Sequence, residues 1–186
     1  MKKFLTLIAL TTVSAAAMAH PGHADTGLMS GLVHPVSGID HILAMLGVGL
    51  WAASLGGKAR WALPAGFVAM MAVGFAFGAN GGEIPMMEQG IAASVLVIGL
   101  AAAWAKRIPV AAAAALVGVF ALFHGVAHGV EMHGSSALAY AGGFLVSTVV
   151  LLAAGLFAGT ALSKNVWFNR IAGTAIGAVG LGLLFA

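Results

Sequence analysis

The chain has 186 residues, 61% of them hydrophobic and 7% charged, with 8 Lys and Arg against 5 Asp and Glu. Soluble domains carry about 25% charged residues, so with a mean hydropathy of +1.06 this chain reads as one embedded in lipid. It has no cysteine, which excludes disulfides, thiolate metal sites, iron–sulfur ligation and a cysteine nucleophile.

In chain order, residues 1–19 have the form of a secretory signal peptide. Lys2 and Lys3 make a positive start, Phe4 to Val13 an apolar stretch, and Ala17-Met18-Ala19 a cleavage site. The alternative is an uncleaved first helix, but the apolar run is short for a span of about 20 residues. Cleavage leaves His20 at the mature N-terminus. Without Lys2 and Lys3 the chain has six basic and five acidic residues, a net +1, so nucleic acid is not an implied partner.

Six apolar stretches of transmembrane length follow, near 31–54, 61–80, 87–105, 109–130, 136–161 and 167–186. The expected fold is all-α: a polytopic membrane protein with one six-helix domain over residues 20–186. Every remaining Lys and Arg (Lys58, Arg60, Lys106, Arg107, Lys164 and Arg170) falls in or beside the first, third or fifth loop. By the positive-inside rule those loops face the cytoplasm, and both mature termini face outward. A cleaved export signal gives the same orientation independently. Trp51, Trp61, Trp104 and Trp167 lie near the inner boundaries, as belt residues should.

Two motifs interrupt this apolar background. The first is His34-Pro35-Val36-Ser37-Gly38-Ile39-Asp40-His41, and the second is Phe123-His124-Gly125-Val126-Ala127-His128-Gly129-Val130-Glu131. Ionisable groups at membrane depth are costly, so such a cluster is a functional-site hypothesis by default. Imidazole and carboxylate without thiol suit a borderline divalent transition metal. The first span runs inward and the fourth outward, so both motifs reach the outer face. On the fourth, His124, His128 and Glu131 share one stripe. On the first, Pro35 is expected in the opening turn, and Asp40 is either a ligand or a partner that fixes a histidine tautomer. Gly38, Gly125 and Gly129 would let the two helices approach. The competing readings are interhelical hydrogen bonding and a proton relay.

The two motifs resemble the signatures of the HupE/UreJ family of small bacterial nickel (or cobalt) permeases associated with hydrogenase and urease maturation. The resemblance spans the whole chain, from signal peptide through six spans and both motifs. It implies uptake of Ni²⁺ or Co²⁺ from the periplasm across the inner membrane, with no prosthetic group. By the same resemblance His34, Asp40, His41, His124, His128 and Glu131 are the transport-critical residues.

Secondary candidates are Glu88 beside the outer end of the third span, and His20 and His23 near the mature N-terminus. Phe67, Phe75 and Phe77 on the second span read as core rather than gate. No GxxxxGK[ST] loop is present, so the chain is expected to work as a secondary transporter. Two alternatives from other classes stay open: an intramembrane metal-dependent hydrolase or oxidase, against which no HExxH motif occurs, and a metal-binding accessory subunit of another transporter. The sequence leaves homo-oligomerisation open. A cysteine introduced at Ser163 should resist impermeant thiol reagents in intact cells; labelling from the periplasm would reverse the orientation.

Overall fold

The computed structural model describes residues 27–104, 108–132, 136–162 and 166–186. Residues 1–19, expected to form a signal peptide, and His20 and His23 lie outside the described residues. Among the described residues seven helices follow one another: α1 Leu28–Ser37, α2 Ile39–Leu55, α3 Ala59–Ala79, α4 Met87–Trp104, α5 Val110–Val130, α6 Ala137–Ala161 and α7 Val166–Leu183. No strand occurs among the described residues, so the all-α expectation holds. Helices α3 to α6 are each long and apolar enough to cross a bilayer, and α1 with α2 make a fifth crossing if taken as one bent span.

Only 28–44% of the apolar window in each of α3 to α6 is buried inside the bundle. The rest faces outward through residues such as Val73, Phe77, Leu100, Val119, Val149 and Phe157. Water would not tolerate so continuous an apolar surface, whereas lipid requires it.

Glycines set the helix spacing. In lipid there is no hydrophobic drive between helices, so close van der Waals approach holds them together. A methyl built on Gly125 would strike the Met71 carbonyl, and one on Gly74 the Leu122 carbonyl. Helices α3 and α5 therefore touch backbone to backbone, running parallel. Contacts of Gly155 with Leu46 and of Gly159 with Leu50 and Ala53 make α2 and α6 parallel too, while Gly173 against Ala103 and Gly180 against Leu96 make α4 and α7 antiparallel. These directions are those that alternating crossings impose. The expectation that Gly125 and Gly129 admit the first helix is corrected: Gly129 meets the Phe75 carbonyl of α3, as Gly125 meets Met71.

The first span also differs from the continuous 31–54 helix expected. Helices α1 and α2 meet at 82°. Pro35 lies inside α1 instead of in an opening turn, and having no N–H it leaves the Gly31 carbonyl without its helical donor. Helix α1 stops two residues later, Gly38 is extended at φ −101° and ψ 125°, and α2 starts afresh. Ser37 Oγ donates to the Val33 carbonyl at 2.9 Å and secures the last turn.

Trp61, Trp104 and Trp167 are exposed, as interfacial residues should be, and the Arg170 guanidinium lies 5.6 Å over the Trp167 ring. Trp51 is a correction: at 2% exposure it belongs to the core with Met45, Leu63 and Phe67. It sits a full turn before the end of α2, where the packed side of the helix outweighs nearness to the interface.

Two glycine substitutions separate packing from propensity. Gly125→Ala should cost about 1–3 kcal/mol through overpacking, lowering the thermal unfolding temperature of the purified protein. Gly66→Ala meets nothing within 4 Å and should be neutral or stabilising by up to about 1 kcal/mol. Equal effects would refute the zipper.

Candidate metal centre

The bend at Gly38 carries the first motif into the second. One ligand nitrogen from each of His34, His41 and His128 can be chosen so that all lie within 4.8 Å of one another. The His34 and His128 rings are 4.8 Å apart, His41 and His128 4.9 Å, and His41 and His124 also 4.8 Å. His41 is thus the hub, touching both histidines of α5. His124 and His128 are fully buried, and His41 nearly so.

Each ring is held differently. Asp40 Oδ1 accepts from the His41 backbone N–H at 2.7 Å and lies 2.8 Å from His41 Nδ1. One carboxylate therefore satisfies a free amide in the first turn of α2 and orients the ring, the role second partners play around metal ligands. His41 Nε2, left to bind something else, is buried without a hydrogen-bond partner among the described residues. His128 stacks on Phe144 with centroids 4.6 Å apart and planes 7° from parallel, and neither of its nitrogens has a hydrogen-bond partner there. Buried polar atoms are nearly always paired, so this group of orphan nitrogens is a candidate ligand site. His34, the most open of the four, pairs through Nε2 with Glu131 Oε2 at 2.9 Å.

Glu88 stands in the first turn of α4. With Asp40, His41 and Glu131 it lines a cavity of about 320 Å³ opening beside the histidines. Glu83 is exposed. Three neighbours escaped the sequence reading. Ser94 of α4 lies 2.9 Å from His124 Nε2, and Tyr140 and Phe144 of α6 flank His34 and His128. Ser94 had one available signal, as the sole hydroxyl in the apolar run of α4. Phe67 and Phe75 are buried, with Phe67 5.8 Å from the His124 ring, while Phe77 faces outward.

A helical bundle with an apolar exterior and a buried histidine cluster at one end defines a multi-pass membrane protein of the metal-handling class. The comparisons with known proteins agree. The chain belongs to the HupE/UreJ family, whose model, described as HupE / UreJ protein, matches residues 8–183. It is 45% identical over 186 residues to Protein HupE of Rhizobium leguminosarum bv. viciae, covering 98% of this chain and 97% of that one. No solved structure matches it. The family is one of nickel and cobalt transporters, which supports metal transport in general.

Phe144→Ala would remove the face on which His128 rests and leave a cavity, at a cost of about 3–5 kcal/mol. Thermal unfolding should show the loss, and the His128 ring signals should broaden in NMR spectra. A sharp, unshifted His128 signal would show that the stacking does not fix the ring.

Proposed function

We propose that this protein is a secondary permease that carries Ni²⁺, with Co²⁺ as the second candidate, from the periplasm into the cytoplasm. The observation that carries the reading is the convergence of His34, His41 and His128, whose ligand nitrogens lie within 4.8 Å of one another, inside an apolar bundle. Imidazoles without thiolate bind a borderline divalent ion while letting it leave, as conduction needs. Asp40 orients His41, and Glu131 beside His34 supplies charge that offsets the ion's. Glu88, Asp40 and Glu131 form the acidic mouth through the cavity they share. His20 and His23 would capture ions ahead of that mouth.

This reading takes residues 1–19 as a removed signal peptide and residues 20–186 as six crossings, the bent α1–α2 pair counting as one and α7 as the last. Both mature termini then face the periplasm, with the basic loops inside. An inside-negative potential contributes about 2.3 kcal/mol per charge per 100 mV, doubled for a divalent ion. That suffices for inward movement without ATP. Delivery to hydrogenase or urease maturation is the physiological use the family resemblance points to.

The test is uptake of radioactive nickel by the purified protein in proteoliposomes under an imposed inside-negative potential, with Co²⁺, Zn²⁺, Cu²⁺ and Mn²⁺ as competitors. Uptake should depend on the potential, and His128→Ala should abolish it while leaving membrane insertion intact. Binding without movement would make the chain an accessory protein instead.

The pH dependence has a definite sign. Histidine binds metal only when neutral, and the unperturbed imidazole pKa is about 6.5. Protons and the ion compete for the same nitrogens, so acidifying the outer side should lower initial uptake at subsaturating nickel. A rise in uptake toward acid outside pH, abolished when only the pH gradient is dissipated, would establish proton symport in place of potential-driven uniport.

A further inference from the structure

His124 is left out of the three-histidine cluster, yet it is as deeply buried as His128, and its partner is unlike any other at the site. Ser94 Oγ lies 2.6 Å from the Ile91 carbonyl oxygen and 2.9 Å from His124 Nε2. Two oxygens sit that close only with a proton between them, and a serine hydroxyl has one proton to give. That proton goes to Ile91, so Ser94 accepts from His124 Nε2–H. A neutral imidazole carries one ring proton, which leaves Nδ1 as a bare lone pair. His124 Nδ1 is buried and has no hydrogen-bond partner among the described residues.

We propose that Ser94 is a positioning residue: it holds His124 as the Nε2–H tautomer, so that Nδ1 forms an inner station for the divalent ion, beyond the His34–His41–His128 cluster. The proposal rests on the metal-transport reading and extends it. His41 bridges the two stations, its ring 4.8 Å from that of His124 and 4.9 Å from that of His128. An ion leaving the cluster therefore finds the next nitrogen without crossing an apolar gap. The two stations also differ in strength. Asp40 places a negative charge beside His41, which favours a bound cation there, whereas the neutral hydroxyl of Ser94 only orients His124. The inner station therefore holds the ion more weakly than the outer one, and passage through sites of falling strength is what release requires.

Ser94→Thr and Ser94→Val test this, because they share a shape and differ in the hydroxyl. In proteoliposomes, maximal nickel uptake by Ser94→Val should fall about tenfold to a hundredfold below that of Ser94→Thr, the range for losing a partner that orients a metal ligand. Equilibrium Ni²⁺ binding by the outer cluster should be the same in both. Equal uptake by the two variants would overturn the proposal. A second readout needs no variant at position 94 to fold. In ¹⁵N-histidine-labelled full-length protein, the signals lost in His124→Gln should report a proton on Nε2 and a bare Nδ1. A proton on Nδ1 would overturn the proposal whether or not the chain transports. A wild-type chain that moves no nickel would instead overturn the functional reading, and the nitrogen spectra would still decide the part played by Ser94.

Discussion

The site depends on the chain breaking at Gly38. In an unbroken helix, residues seven apart are separated by about 10.5 Å along the axis, and His34 and His41 could not both reach one ion. With α1 and α2 bent by 82° their rings are 6.0 Å apart. The break also frees the first amides of α2, and Asp40 takes up the one belonging to His41. Its single carboxylate oxygen thus answers a backbone need created by the break and a side-chain need created by the site. Gly38 has to be small for the same reason, since a Cβ there would press on Asp40 Oδ1 and His41 Nδ1.

Around that junction the bundle divides the work. Helices α3 and α5 are locked backbone to backbone through Gly74, Gly78, Gly125 and Gly129, so His124 and His128 ride on a fixed pair. Helix α6 supplies the wall, with Phe144 under His128 and Tyr140 near His34. Helix α1 leans on that wall, Gly31 meeting the Tyr140 carbonyl and Ser147 Oγ donating to the Leu32 carbonyl at 2.6 Å. The imidazoles are therefore set in aromatic and backbone surroundings that compete little for their lone pairs.

Much of this was legible in the sequence. Helix positions followed from apolar runs bounded by Gly, Pro and charge, and the ends of α3, α5 and α6 fall within two residues of expectation. That both motifs reach one end of the bundle followed from counting crossings. The break did not, because Pro35 reads most simply as a first-turn residue, and Gly38 carries no signal that separates a bend from a close contact. The partners of Gly125 and Gly129 were hidden for a related reason: a helix pattern shows which face is small but not which helix meets it. Trp51 was misplaced by nearness to an interface, when its orientation decided the outcome. Ser94 reads locally as one more small residue, and its importance appears only when α4 and α5 are side by side.

The depth of the histidines has an electrical consequence. Measured from the start of α5 at Val110, His124 and His128 lie about 21 and 27 Å along the axis at 1.5 Å per residue, close to the far side of a hydrocarbon layer about 30 Å thick. Under the transport reading, an ion held there has traversed only a small part of the transmembrane field. Occupancy of the outer cluster should then depend little on voltage, and most of the gating charge, about two-thirds by this measure, belongs to the departure from His124 toward the end marked by Trp61, Trp104 and Arg170. The field acts as a pull on release rather than as a push on capture.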